Sequence, residues 1–294
     1  MELRQLNYFT KAAELLNFTE AAQALYISQS TLSQQIKQLE DELGIPLFNR
    51  IGKRIHLTEA GRLFLPYANQ TLQDALSGRE MLNDLMNLQT GSIAIGATYG
   101  LTQLLVKALQ AFTTQYPHVQ VHIQYGTTDA LLEQLSASKL DMVLSFASSS
   151  PLESIAFETL FTSSLSLVVP TNHALARNKS ITLKEAVTIP LILPVRSYSI
   201  RRFMDESFEK GKLQPDIRMD CNDVHTILEM IKGGNIGTIL MKVSTHGYHT
   251  LKAIPLEGKN MQRKATIAWP ADAYRKKSIE ILAGLLKKNA EDIL

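Results

Sequence analysis

"ISQSTLSQQIKQLEDELG", Ile27 to Gly44, decides how this chain is read. Leu32, Ile36, Leu39 and Leu43 recur at three- and four-residue spacing, so the stretch is an amphipathic helix with Ser28 placed to cap it and Gly44 to end it. A solvated helix face normally carries Lys and Glu. Here Gln29, Ser30, Thr31, Ser33, Gln34 and Lys37 offer groups that donate and accept hydrogen bonds with little charge. Every acid of the helix, Glu40, Asp41 and Glu42, lies in its last turns, which leaves the N-terminal half and its helix dipole free to approach a polyanion. Gln and Ser suit the mixed donor and acceptor edges of the DNA major groove, and a recognition helix meets those edges with its N-terminal residues.

The flanking segments complete a small module. Upstream, Leu3, Leu6, Phe9, Ala13 and Leu16 predict a first helix with one buried stripe that ends near Asn17. Thr19 is placed to cap a second helix carrying Ala21, Ala22 and Leu25, with "ALYIS" as the turn. Downstream of Pro46, "LFNRIGKRIHLT" alternates Arg50, Lys53, Arg54 and His56 with Ile51, Ile55 and Leu57 around Gly52. This predicts a two-stranded hairpin whose basic tip grips phosphate beside the groove. A plain three-helix bundle would not account together for the polar face, the late acids and the basic hairpin.

The run "FTEAAQALYISQSTLSQQIKQLEDELGIPLFNRIGKRIHLTEAG" resembles the winged helix-turn-helix of the LysR-type transcriptional regulators, including the "LGIPLFNR" and "LTEAG" segments. That resemblance implies a DNA-binding N-terminal domain, a linker helix used for dimerisation and a C-terminal domain that binds a small co-inducer. By it, Gln29, Ser30 and Ser33 sit where family members read bases, and Arg50 and Arg54 where they hold backbone. Family members often carry Pro or Ala at the place of Ser30.

At 294 residues, with 45% hydrophobic and 20% charged residues, the chain has the composition of a soluble protein with about two or three cores. No segment approaches the ~18 consecutive apolar residues of a membrane span. The opening "MELRQLNYFTKAAELLNF" carries charges from its second residue and lacks a secretory apolar run, which predicts a cytoplasmic protein without a membrane partner. Thirty basic residues against 28 acidic ones leave a net charge of +2, so the distribution of charge matters more than its sum. Cys221 is the single cysteine; it excludes an intrachain disulfide and any multi-cysteine zinc site, and leaves a lone thiol switch as one alternative.

From Thr58 to about Leu88 the chain predicts one helix, capped by Thr58, with Leu65, Ala68, Leu72, Ala75, Leu82 and Leu85 mostly at heptad spacing. Such a stripe packs on a partner helix or back on its own chain, and Pro66 is expected to kink it. "QTGS", Gln89 to Ser92, begins the next domain. There "IAIGA", "VQVHIQY" and "LDMVLSF" alternate with helical stretches as two successive βαβ units. "LSLVV", "LILPV", "DIRMDC" and "GTILM" repeat the alternation, with "SIRRFMDESFEKG" and "DVHTILEMIKGG" as helices. Two α/β subdomains of this size resemble a periplasmic-binding-protein fold. The fold class is therefore multidomain α/β: a winged helix-turn-helix over 1–58, a linker helix over 59–90, and an effector domain over 91–294. Within the last, subdomain I takes 91–161 and 265–294 and subdomain II takes 162–264, with crossings near Phe161 and Lys264.

Open parallel sheets bind ligands beyond the carboxyl ends of strands, at helix N-termini. That rule selects Thr98, Tyr99, Gly100, Thr102, Thr127, Thr128 and Phe146 from the first subdomain, and Arg196, Ser197, Ser199 and Asn222 from the second. Several hydroxyls with Arg196 and positive helix ends favour a small anion such as a carboxylate.

No GxSxG, phosphate loop, HExxH or dinucleotide fingerprint is present; "GGNIG" around Gly234 follows a helix rather than a strand. His246 and His249 lack a third metal ligand in the sequence around them. The reading is a non-enzymatic, cofactor-free, homodimeric or homotetrameric regulator, with promoter DNA, a small co-inducer and RNA polymerase as its partners. A solute-binding module without gene control is the alternative for the C-terminal part.

Overall fold

The computed structural model describes residues 1–51, 54–85, 90–147, 154–271 and 273–291. The chain forms two compact units, Met1–Leu88 and Gln89–Leu294. In the first, α1 (Leu3–Leu15), α2 (Phe18–Ala24) and α3 (Gln29–Leu43) are followed by β1 (Phe48–Ile51), β2 (Arg54–Leu57) and α4 (Glu59–Leu85). Leu6, Phe9 and Ala12 of α1, Phe18, Ala21 and Ala22 of α2, and Leu32, Ile36 and Leu39 of α3 make one core.

Local rules explain the joints, and two differ from the expectation. Asn17, not Thr19, caps α2: the helix begins one residue after it, so its Oδ1 reaches the N–H groups of Thr19 at 2.9 Å and Glu20 at 3.3 Å. Leu3 and Leu16 are exposed rather than part of the buried stripe, because Leu16 has already left the helix in a left-handed conformation (φ 49°) and Gln5 and Ala12 fill the inner face. Ser28 caps α3 by accepting from Thr31 N–H at 3.1 Å, and Gly44 ends it at φ 70°, where a side chain would be strained.

The "LGIPLFNR" segment fastens the hairpin to the helices. The Phe48 ring lies 5.5 Å from Phe9 and edge-on to Phe18 at 5.4 Å, while the Glu40 carboxylate accepts from the N–H groups of Leu47 (2.7 Å) and Phe48 (3.0 Å). β1 and β2 pair antiparallel from Phe48↔Leu57 to Ile51↔Arg54, as expected of a hairpin. Lys53 and Gly52 lie outside the described residues, as do the side chains of Arg50 and Arg54.

Thr58 starts α4, accepting from Gly61 N–H at 2.9 Å and donating to Pro46 O at 2.8 Å. Gly61 is demanded by close approach: a Cβ there would sit 2.2 Å from the Leu47 carbonyl oxygen. The helix continues through Pro66. Leu65, Ala68 and Leu72 pack back on the core of their own unit, whereas Ala75 and Leu82 are exposed, Leu82 by 57%. The expected helix end near Leu88 and the start of "QTGS" at Gln89 lie outside the described residues.

The second unit opens with β3 (Gly91–Ala97), α5 (Thr102–Gln115), β4 (Val119–Tyr125), α6 (Thr128–Ser136) and β5 (Met142–Phe146). β3 pairs parallel with β4 and β5, as two successive βαβ units require. Along β5, Met142 and Leu144 join the core beneath α5, while Val143 between them packs with Leu131, Leu132 and Leu135 of α6; the period of two puts helices on both faces. β6 (Ile155–Pro170) follows, then α7 (Leu183–Ala186), β7 (Leu191–Pro194), α8 (Ser199–Lys210), β8 (Ile217–Cys221), α9 (Val224–Ile231), β9 (Thr238–Met241), β10 (Leu251–Pro255), β11 (Gln262–Pro270) and α10 (Lys277–Glu291).

Two strands hold the lobes of this unit together. β6 is 16 residues long and continuous: Ile155 to Ser164 pair with β11, and Leu165 to Pro170 pair with β9 and β10. The crossings expected near Phe161 and Lys264 thus lie inside paired strands, in adjacent registers (Phe161↔Ala265, Thr162↔Lys264), and join the two halves in one seven-stranded sheet. β7 and β8 form a separate parallel pair, linked to the approach to β9 by the bridge Leu191↔Gly237.

Candidate nucleic-acid interface and ligand cleft

In the first unit, Ser28, Gln29, Ser30, Thr31, Gln34 and Lys37 are exposed and Ser33 is half-buried. The hydroxyls of Ser30 and Thr31 each lie 2.8 Å from Ser28 Oγ, so the start of α3 carries a small hydroxyl network while Gln29, Gln34 and Lys37 point outward. Sequence reasoning left Tyr26 as part of a turn; it is 96% exposed, at φ 56°, two residues before the cap. A left-handed non-glycine residue holding an aromatic ring in water beside this face could have been flagged only by its turn position.

In the second unit, the ends of strands and the starts of helices meet at a cleft with about 590 Å³ of empty space, part of it open solvent. Thr98, Gly100, Thr127, Thr128 and Phe146 line it from the first lobe, and Ser199 from the second. Thr98 is 8% exposed, and its Oγ1 has no hydrogen-bond partner among the described residues. Thr127 is engaged as a cap, accepting from Ala130 N–H at 3.4 Å. Ser244 donates to the Gly100 carbonyl at 3.2 Å and separates this cleft from a second hollow. Tyr99 and Thr102 line that hollow, where Tyr99 stacks on Tyr125 at 4.9 Å and His225 Nδ1 lies 2.6 Å from Tyr248 Oη. Thr102 Oγ1 there donates to Tyr99 O at 2.8 Å.

Three expected contacts are not brought to either hollow. Arg196 is 81% exposed and turned to Asp205 at 3.3 Å, because it lies in the turn before α8 rather than on the helix. Ser197 is exposed and uses its carbonyl to accept from Arg202, and the carbonyl of Asn222 accepts from Tyr198 Oη at 2.6 Å. Burial, with Tyr99, Asp223 and Cys221 adding, pushes the Tyr198 phenol up to about 12, so it remains a donor at neutral pH.

Sequence reasoning missed Tyr198, Val224, Leu240, Ser244 and Arg263, all of which line the first cleft. Arg263 sits on β11, a strand read only as the return to the first lobe. Its guanidinium lies over the Phe203 ring at 4.3 Å, its Nη1 donates to the carbonyls of Asn260 (2.7 Å) and Gln262 (2.8 Å), and burial holds its pKa below the usual arginine value. Cys221 is half-buried beside Asp223, whose carbonyl accepts from its thiol at 3.5 Å. Among the described residues no three His, Cys, Asp or Glu side chains cluster as metal ligands, and no helix is long and apolar enough to cross a membrane.

Comparisons with known proteins identify the family. Residues 3–62 match the bacterial regulatory helix-turn-helix protein, lysR family, and residues 87–291 match the LysR substrate binding domain. The HTH-type transcriptional regulator YybE of Bacillus subtilis is 32% identical over 270 residues, 92% of each chain, and the transcriptional dual regulator GltC of the same organism is 30% identical over 92% of this chain and 91% of its own. Among solved structures, a full-length OxyR variant from Pseudomonas aeruginosa has a TM-score of 0.75 at 24% identity, covering 98% of this chain and 95% of that one. CbnR, solved with its target DNA, has a TM-score of 0.62 at 22% identity, covering 98% and 100%. These two show the shared fold, and the family-wide match sets aside both an enzyme and a free-standing solute-binding module. With a helix-turn-helix of the lysR family at one end and that family's ligand domain over the rest, the chain belongs to the LysR-type DNA-binding transcriptional regulators.

Proposed function

We propose that this regulator is a cytoplasmic homodimer or homotetramer that reads promoter DNA with the N-terminal half of α3 and changes its DNA contacts when a small anionic metabolite fills the cleft. In this reading residues 1–58 grip DNA, residues 59–90 dimerise and residues 91–294 receive the effector. Gln29, Ser30, Ser33 and Gln34 meet base edges, Ser28 and Thr31 set the helix start against phosphate, and Lys37, Arg50, Lys53 and Arg54 hold the backbone. Thr98, Gly100, Thr127, Thr128, Phe146 and Ser199 contact the effector, and the exposed apolar half of α4 takes a second copy of the chain. RNA polymerase is the further partner at the promoter.

The exposed, uncharged polar face at the start of α3 carries this reading. Footprinting on the intergenic region beside the gene tests it. Gln29→Ala should weaken the cognate site by about 1–3 kcal/mol and other sequences little. Equal weakening on every sequence refutes base reading by Gln29.

A further inference from the structure

We propose that Arg263 is the residue that selects the ligand of this cleft, and that the ligand is a small monocarboxylate with a compact apolar body. The inference rests on reading the cleft as the effector site and deepens it.

Arg263 is the one charged side chain among the described residues that line the cleft. Among the described residues no carboxylate is found as a partner of its guanidinium, and its Nη1 is held by two backbone carbonyls. Stacked on Phe203, the planar guanidinium is fixed in orientation, and its remaining N–H groups are unmatched by any acid. A partly desolvated cation without a counter-ion is unfavourable, and an incoming carboxylate relieves it with charge-assisted hydrogen bonds. Burial already depresses the Arg263 pKa without a compensating acid.

Two further observations define the rest of the ligand. The buried Thr98 hydroxyl has no partner, and α8 begins at the cleft with no side-chain cap, so both offer hydrogen bonds to an occupant. Phe146, Pro194, Ile200, Val224, Leu240 and Met241 supply an apolar wall. One cation balances one negative charge. A dicarboxylate would bury its second charge against this wall, which is costly.

The test uses the full-length chain and follows thermal unfolding of the cleft-bearing unit through Trp269, the only tryptophan. The probes are 3-methylbutanoate and phenylacetate, each beside its amide, and methylsuccinate as a dianion, at about 50 mM and matched ionic strength, so that even millimolar binding moves the midpoint. The two monocarboxylates should stabilise the wild type more than their amides or methylsuccinate do. Arg263→Gln should weaken monocarboxylate binding by about ten- to a hundredfold, and Arg196→Gln should leave it unchanged. Arg263→Lys keeps the charge without the fork or the stacking and should fall between; unliganded melts of both variants separate lost recognition from lost folding. Monocarboxylates no better than amides on the wild type overturn the proposal. Unchanged binding by Arg263→Gln also overturns it, and Thr98→Val then tells two failures apart. If Thr98→Val weakens binding, the cleft stands and only the role of Arg263 falls; if it does not, the cleft reading falls as well.

Discussion

Gly61→Ala adds one methyl group to the first turn of α4, and the structure says where it goes. The new Cβ would lie 2.2 Å from the Leu47 carbonyl oxygen and 2.9 Å from a Leu57 methyl. The side chain can turn aside, but the carbonyl cannot, because it accepts from Thr58 N–H at 2.9 Å. The same residue's N–H is held by Glu40 at 2.7 Å. Overpacking of this kind costs about 1–3 kcal/mol. A shift of the strand that stretches the two Glu40 bonds adds roughly 1–3 kcal/mol, and the better helix propensity of Ala returns about 1 kcal/mol. The net loss is about 1–5 kcal/mol; its midpoint of ~3 kcal/mol corresponds to roughly 12–24 °C for a unit of this size. Because Trp269 belongs to the other unit, far-UV circular dichroism should gain an early melting phase while tryptophan fluorescence keeps the wild-type midpoint. Gly78→Ala, in the same helix with nothing within 4 Å of its Cβ, should melt no earlier than wild type. A Gly61→Ala protein that melts at or above the wild-type temperature by circular dichroism refutes the close-packing argument.

Arg201 is 3% exposed, pairs with Asp205 at 2.8 Å and with Asp220, and donates to the Pro194 carbonyl at 2.8 Å. Arg201→Met should therefore cost about 3–5 kcal/mol by denaturant titration, and a cost under 1 kcal/mol would show that the pairing is idle. Arg202 and Asp129 join the two lobes at 2.8 Å through exposed side chains; Asp129→Asn should lower thermal stability by no more than about 1 kcal/mol while raising the effector concentration for half-response up to about fivefold. The bond from Thr226, with its backbone neighbours, holds the Asp223 carboxyl below the usual carboxylate range. Its contribution to stability is thus full above the unfolded value of about 3.9 and fades as pH falls through the lower folded value, so melts of wild type and Asp223→Asn should draw together only in acid.

The first unit was largely legible because its signals are local. Ser28, Gly44, the α3 stripe of Leu32, Ile36 and Leu39, and the pairing of β1 with β2 each follow from residues within a turn or two of one another, whereas Leu43, expected on that stripe, is exposed. Asn17 was missed for a local reason too: Asn and Thr are both good caps, and only the true start of α2 chooses between them. The half-and-half fate of α4 could not be read, since Leu65 and Leu82 obey the same heptad and differ only in what lies beside them. In the second unit, β6 was read as "LSLVV" alone. Its first half alternates while its second half is buried throughout, so no single period describes the strand. Arg196 stood next to a helix start in the sequence and Arg263 did not. The strand that carries Arg263 reaches the cleft through pairing with β5 and β6, about a hundred residues or more earlier in the chain, long-range contacts that local rules do not predict.

That long strand also determines what kind of motion the ligand domain can make. A hinge built from loops would let the halves swing freely, but here both share one 16-residue strand, β6, paired first with β11 and then with β9 and β10, with a single register shift between Thr159 and Phe161 opposite Thr266 and Ala265. Relative motion of the halves then has to bend or twist a hydrogen-bonded strand instead of turning loops, and the irregular register between Thr159 and Phe161 is the place where that strand bends most readily.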